Sequence, residues 1–291
     1  MEKRYETVSS ERGTLTRKIG EGSFVGYRRA NTPEELVEWL KHLRAYRWAE
    51  NFAEGKCVLD VGCGVGYGAN ELSTKASAVV GIDFWKEGIH YCHQNYGKNM
   101  SPLVASGIKC PFKDDSFDLA VSFQVIEHIA PEQVATYLYE IKRVLKPGGT
   151  FVVVTPNKLL RLLPFQKPWN PDHKKEYDAK ELKSVLTEVF GNMKILGLSA
   201  SEEAYLIEYN RVKQSPLRVY LLDPAAGAML QVLPRSIIFR LKTASSGKEK
   251  LLKDQRSTIL NCKLSLSNFQ ISDVNLRSSI DIYGICTKAG V

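Results

Sequence analysis

The sequence predicts an α/β fold, a doubly wound and mostly parallel sheet with helices on both faces. Three observations predict it. Short apolar runs that read as buried strands alternate with helical stripes from about residue 57 to residue 200. The first run, VLDV, passes directly into GCGVGYG, which puts Gly62, Gly64, Gly66 and Gly68 on alternate positions behind Asp60. The second, AVVGID, ends in another carboxylate, Asp83. Strands joined by crossover helices run parallel, and those helices then bury both faces of the sheet.

Each element follows from its residues. Residues 1–31 are polar and glycine-containing and read as an irregular arm. Thr32, Pro33 and Glu35 supply an N-cap, a first-turn proline and a capping-box glutamate. Leu36, Trp39, Leu40, Leu43 and Tyr46 then recur at helical spacing, with Gly55 as the stop. A strand at Cys57 to Val61, the glycine turn, a helix carrying Ala69 and Leu72, and the AVVGID strand make the first βαβ unit. A third unit begins near Tyr91 and includes a short strand at Pro102 to Ala105.

After the turn FKDDSFD come the strand LAVSF and a helix from Pro131 with Val134, Leu138, Ile141 and Leu145 on one face. KPGG turns the chain into TFVVVT. Asp178 and Glu181 form a second capping box, ahead of a stripe of Leu182, Val185, Leu186, Val189 and Phe190 that Gly191 ends. MKILGLSA is a strand. Residues 201 to 255 break the alternation: basic, amphipathic helical pieces are interrupted by Pro216, Pro224 and Pro234. SIDIYGICTK reads as the last strand.

The composition is that of a globular protein, 291 residues with 44% hydrophobic and 25% charged. An excess of 40 Lys and Arg over 32 Asp and Glu gives a net charge of +8, which favours anionic partners without choosing among them. The six cysteines include no C-x-x-C spacing, so free thiols are expected rather than disulfides or a zinc site. No signal-peptide pattern opens the chain, and no apolar run approaches the ~18 residues of a spanning helix. A cytoplasmic location is expected.

In an open parallel sheet, ligands bind beyond the carboxyl ends of the strands, where a helix N-terminus presents free N–H groups. The glycine turn has that layout. Its spacing alone is ambiguous, since Gly64-x-Gly66-x-x-Ala69 also satisfies a loose dinucleotide fingerprint and admits a nicotinamide-dependent oxidoreductase. Asp83 stands near the ~20-residue distance at which a carboxylate accepts hydrogen bonds from ribose hydroxyls. Phe84 and Trp85 follow it, and an aromatic there suits an adenine face. The residues therefore call for an adenosine-containing cofactor.

The ordered set VLDVGCGVGYG, VVGID, PFKDDSFDLAVSFQVIEHI and VLKPGGTFVVVTPN resembles the class I S-adenosylmethionine-dependent methyltransferases, in particular the group with the ubiquinone- and menaquinone-type enzymes. The resemblance covers about residues 42 to 200. It implies a Rossmann-like, seven-stranded sheet whose last strand is antiparallel, and S-adenosyl-L-methionine as the cofactor. Asp60, Gly62, Cys63 and Gly64 would hold the methionine part, and Asp83 the ribose with Phe84 beside it. Ser106 stands where the family often has an acidic residue for the adenine amino group, so the backbone of Gly107 and Ile108 would share that contact. Phe123 and Gln124 would lie under the amino acid moiety. The chain then divides into an arm and helix covering the cofactor (1–55), a core (56–200), a helical insert acting as a lid or interfacial segment (201–258), and a stretch completing the sheet (259–291).

Methyl transfer from an activated sulfonium asks mainly for in-line positioning and exclusion of water. It requires no metal, and the sequence offers no compelling metal-ligand cluster, so no metal site is expected. A hydroxyl acceptor needs a base, and histidine suits neutral pH. His173, in the long loop after TFVVVT, and His128, in IEHI, are the candidate bases; Glu176 and Tyr177 share the loop. His42 and Tyr46 on the first helix either reach toward the cofactor or pack in the core. The expected acceptor is a small hydroxylated metabolite, glycan-like or otherwise biosynthetic. A lipid or quinone at a membrane surface, tRNA, and protein are the alternatives. The insert, with Arg218, Arg235, Arg240 and Lys242, permits peripheral membrane contact. A non-catalytic nucleic-acid or membrane-binding module is the remaining class, disfavoured for nucleic acid by the lack of aromatic-basic interleaving that stacks bases.

Overall fold

The computed structural model describes residues 30, 32–96, 99–213 and 264–290, together with four short strands within the first 24 residues. In the arm, Thr7–Val8 pairs antiparallel with Thr14–Leu15, and Arg17–Ile19 with Gly22–Phe24. The arm is thus less irregular than its polar composition implies.

Helix α1 (Pro33–Ala53) begins where the sequence signals it: the Thr32 side chain accepts a hydrogen bond from the Glu35 N–H, and Pro33 occupies the first turn. Strand β1 (Cys57–Val61), α2 (Tyr67–Leu72), β2 (Ala78–Asp83), α3 (Lys86–Asn95) and β3 (Met100–Val104) follow. Strand β4 (Phe117–Phe123) leads through two 3-10 turns, Ile126–His128 and Pro131–Gln133, into α4 (Val134–Val144). Leu145, expected on the α4 stripe, instead opens the long strand β5 (Leu145–Pro156) and is itself fully buried. A single helical turn, α5 (Lys158–Arg161), precedes α6 (Ala179–Phe190), β6 (Met193–Ala200) and α7 (Glu202–Val212). Strands β7 (Phe269–Ser272) and β8 (Asp281–Thr287) finish the sheet.

The eight strands lie in the order β3-β2-β1-β4-β5-β8-β6-β7. Parallel registers run from Cys57↔Ala78 on one side of β1 and Val58↔Leu119 on the other. Strand β8 is antiparallel to both neighbours, with Asp281 opposite Pro156 and Cys286 opposite Met193. The sheet has one strand more than the expected seven, because β7 adds antiparallel to the edge of β6. That strand is four residues long, with Phe269 buried and Ile271 partly buried on one face, too short a run to stand out in the sequence.

Successive strand residues face opposite sides, and each side has its own core. Val58, Val79, Val121, Val152 and Tyr283 pack under α1, α2, α3 and α7. Their neighbours Leu59, Ile82, Ala120, Val153 and Ile282 pack against α4 and α6. The strand order reverses between β1 and β4, so a crevice opens beyond their carboxyl ends.

Of the insert expected over 201–258, only residues 201–213, with α7, belong to the described residues; Pro216, Pro224, Pro234 and the basic residues from Arg218 to Lys242 lie outside them. Cys57, Cys63, Cys92, Cys110 and Cys286 are free thiols, as expected; Cys262 lies outside the described residues. Among the described residues no helix is long and apolar enough to cross a membrane.

Candidate functional site

The crevice is built on the turn after β1. The N–H groups of Gly62 and Cys63 both donate to the Ile82 carbonyl, at 2.7 and 3.0 Å, which ties the turn to β2. Asp83, closing β2, accepts from the Gly64 N–H at 2.9 Å through one carboxylate oxygen and from the Trp85 N–H at 2.8 Å through the other. Its remaining lone pairs are available to a ligand's hydroxyls.

The four alternating glycines do different work. Gly64 has φ +57°, and a methyl group added there would meet nothing within 4 Å, so its backbone faces open space. The others are small because protein presses on them. A Cβ on Gly62 would lie 2.4 Å from the Val125 side chain, one on Gly66 2.5 Å from Cys92 Sγ, and one on Gly68 2.0 Å from the Tyr46 ring. Of the four, only Gly64 has open space where a Cβ would stand; at Gly62 that space is taken by the Val125 side chain.

Asp60 is fully buried at the end of β1 and accepts a hydrogen bond from the Tyr46 hydroxyl of α1, at 3.1 Å to one oxygen and 3.4 Å to the other. Burial pushes its carboxyl up to about 7, the Tyr46 bond opposes the rise, and the negative charge of Asp83 adds to it. Tyr46 packs edge-on against Phe123 at 4.7 Å and Tyr67 at 5.7 Å, and the Tyr67 hydroxyl meets His42 Nδ1 at 2.9 Å. Two carboxylates, one wholly desolvated, beside an outward glycine backbone and the N-terminus of α2 suit a ligand that combines positive charge, a diol and an aromatic ring. S-adenosyl-L-methionine has all three, so these residues fit it.

The other expected contacts are placed as follows. Phe84 is 70% exposed beside Asp83, whereas Trp85 is buried against Gly88, so only the first aromatic faces outward. Ser106 is exposed in a tight turn after β3, where its carbonyl accepts from Lys109 and its hydroxyl from Ile108. Gly107 packs against Val61 and the Tyr137 ring. Phe123 is buried under Tyr46, and Gln124 adopts a left-handed φ of +58° while its N–H donates to Val154. Cys63 is part of the scaffold: its thiol is buried, its N–H goes to Ile82 and its carbonyl accepts from Gly66.

A second constellation forms just past β4. The His128 and His173 rings meet edge-to-face at 4.8 Å. The loop after α5 reaches this point because the Lys174 and Lys175 N–H groups both donate to the Glu127 carbonyl, at 2.7 and 3.2 Å. His173 Nδ1 lies 2.8 Å from Glu176 Oε1, and Arg161 Nε holds both Glu176 oxygens at 3.1 Å. Burial works against ionisation of Glu176, yet His173 and Arg161 prevail and hold its carboxyl below the usual range. Glu127 is fully buried; one of its oxygens accepts from the Thr155 hydroxyl at 2.9 Å. Burial pushes the Glu127 carboxyl up to about 7 against the pull of His173. Tyr177, the other residue of this loop considered above, is buried in the core. The two candidate bases thus come together, with Glu127, the sequence neighbour of His128, and with Arg161, a member the sequence did not reveal.

Residues 59–153 match the family model described as a methyltransferase domain. A Mycolicibacterium smegmatis protein named "Probable S-adenosylmethionine-dependent methyltransferase" is 34% identical over 153 residues, 53% of this chain and 58% of its own length. A fatty-acid O-methyltransferase of the same organism is 33% identical over 122 residues, 41% of this chain and 44% of its own length. The chain therefore spans about half the length of the curated relatives it matches. A Thermotoga maritima crystal structure described as a SAM-dependent methyltransferase, possible histamine N-methyltransferase, aligns with a TM-score of 0.54 at 14% identity, over 87% of this chain and 91% of the other, and shows the shared fold. The match over residues 59–153 is thus to a methyltransferase domain and not to the nicotinamide-dependent oxidoreductase that the glycine spacing also admitted.

Proposed function

We propose that the protein transfers a methyl group from S-adenosyl-L-methionine to an oxygen of a small hydroxylated metabolite. The observation that carries this reading is the adjacency of crevice and imidazoles: Val125 packs against Gly62 in the cofactor turn, and Glu127 and His128 follow it directly. S-adenosyl-L-methionine supplies the methyl group already activated as a sulfonium substituent. Asp60 and Asp83 bind and orient it through its charge and its diol, with Phe84 beside the adenine and the backbone of Ser106 to Ile108 along its edge. Phe123 and Gln124 form the floor under the amino acid moiety. Tyr46 holds the Asp60 carboxylate in place from α1, which covers the crevice.

His173 is oriented by an ionised Glu176, which keeps a proton on Nδ1 and leaves Nε2 as the atom that accepts the acceptor hydroxyl's proton. His128 stands beside it as the second base. The name of the M. smegmatis fatty-acid O-methyltransferase supports an oxygen acceptor. A lipid or quinone acceptor at a membrane surface is the second reading, favoured by the basic residues of 201–258. In this proposal α1 covers the cofactor, residues 56–200 form the catalytic core, and the protein works in the cytoplasm.

Incubating the protein and cofactor with hydroxylated metabolites and fatty acids, and following products by mass spectrometry, tests the reading. A gain of one methyl on oxygen, reduced at least tenfold in His173→Ala, is expected. Methylation confined to nitrogen or carbon acceptors would refute it.

A further inference from the structure

We propose that Glu127, His128 and His173 form a binding site for a divalent first-row transition-metal ion. One ligand-capable atom from each residue lies within 4.8 Å of the other two. Two donors on one ion, at bonds of 2.0–2.2 Å, stand no more than about 4.4 Å apart. A small rotation of the exposed His128 ring closes any remaining gap.

Each ring is set up as a ligand. His128 Nδ1 faces the Asp172 carbonyl at 3.1 Å and His173 Nδ1 faces the Glu176 carboxylate at 2.8 Å. Both partners are pure acceptors, so Nδ1 carries the proton and the neutral ring's lone pair is on Nε2. An outer carbonyl or carboxylate on the second ring nitrogen is the usual support of a metal-bound histidine. Arg161 in turn fixes Glu176, and stacks over the Trp169 ring at 4.7 Å.

Glu127 supplies an independent sign. It is fully buried, and although Oε2 accepts from Thr155, Oε1 is buried with no hydrogen-bond partner. Such an oxygen is costly in a native fold unless a proton or a cation meets it. A nitrogen from each imidazole and a carboxylate oxygen thus stand close enough together to share one ion. The donor set, two nitrogens and one oxygen, suits zinc, manganese or iron(II) rather than magnesium or calcium, which prefer oxygen throughout.

Three protein ligands leave coordination positions open. If the oxygen-transfer reading above holds, the acceptor hydroxyl binds there, its acidity rises and its proton leaves to solvent near neutral pH. The oxyanion then forms the new C–O bond as the methyl–sulfur bond breaks with its electron pair going to sulfur, leaving a neutral thioether. The ion thus takes over from His173 as the means of ionising the acceptor. The site itself does not depend on that use.

The test is equilibrium dialysis of the chelator-treated full chain against Zn2+, with Mn2+ followed by electron paramagnetic resonance and Mg2+ as the hard-ion control. S-adenosylhomocysteine binding is measured in parallel to certify the fold. About one Zn2+ or Mn2+ per chain is expected, weakened at least tenfold in His128→Ala, whose side chain is exposed and leaves the core untouched, and again in Glu127→Gln. No binding by the wild type, or equal binding by His128→Ala and by a Glu127→Gln/His173→Ala double variant that still binds S-adenosylhomocysteine, would overturn the proposal. Metal bound without any O-methylated product would leave the site standing and remove the acceptor reading instead.

Discussion

Asp60 does more at the residue scale than any single glycine. Its carboxyl sits near 7 because burial outweighs the Tyr46 hydrogen bond. A cationic ligand stabilises the ionised form, so binding must expel the proton that the free site carries below that value. The affinity for S-adenosyl-L-methionine is therefore full above pH 7 and falls as pH drops through 7, approaching tenfold per pH unit. Calorimetry at pH 6 and pH 8 checks this, and Asp60→Asn should weaken binding and flatten the profile.

Two glycines separate ligand approach from packing. Gly64→Ala forces a side chain into left-handed backbone at about 1–2 kcal/mol and fills the open space, so weaker cofactor binding with a modest loss of stability is expected. Gly68→Ala drives a methyl into the Tyr46 ring, and overpacking of that sort costs about 1–3 kcal/mol in stability while pushing Tyr46 from Asp60. Thermal denaturation and calorimetry on both variants distinguish the two effects. Both glycines read alike in the sequence, because spacing reveals that a position is bare and not what lies against it.

At the scale of elements, the strands that bury both faces and the capped helices were legible because their signals are local. The α6 capping box is present as read, with Asp178 accepting from Lys180 and Glu181 and Glu181 accepting from Asp178. Asp178→Ala should lower stability by about 0.5–2 kcal/mol, measured by denaturant unfolding, with S-adenosylhomocysteine affinity unchanged. Where signals conflicted, tertiary context decided. Leu145 fits the α4 stripe by spacing, yet its backbone pairs with Phe117 as the start of β5. Strand β7 was missed because it is only four residues long: its apolar face, Phe269 and Ile271, is too short a pattern to read, and edge pairing to β6 completes its placement. The Glu127–His128–His173 cluster was invisible for a different reason: two backbone bonds from the loop to the Glu127 carbonyl create it, and no sequence spacing encodes them.

Across the whole molecule, α1 is fastened over the crevice by a buried charge network. Lys41 Nζ, almost wholly buried, lies 3.0 Å from Glu208 of α7 and 3.5 Å from Asp281 of β8, and Arg211 bonds both Glu208 and Glu38. Burial disfavours charge on Lys41, yet these carboxylates raise its pKa above the usual lysine range. Lys41→Ala strands Asp281 in the core and leaves Glu208 with Arg211 alone, and should cost about 3–5 kcal/mol in urea unfolding, with loosened α1 weakening the Tyr46 to Asp60 contact. Glu38 with Lys41 and Glu208 with Arg211 are neighbours on their own helices, but the contacts that join α1, α7 and β8 follow from topology alone.

The account rests on the bare Gly64 backbone and the Asp83 carboxylate forming one adenosyl-binding crevice. Titration calorimetry of S-adenosylhomocysteine into the wild type and Asp83→Ala tests it most directly. One saturable site per chain, lost or weakened at least tenfold in a variant that remains folded, is the predicted result. No binding by the wild type, or equal affinity in the variant, would contradict it.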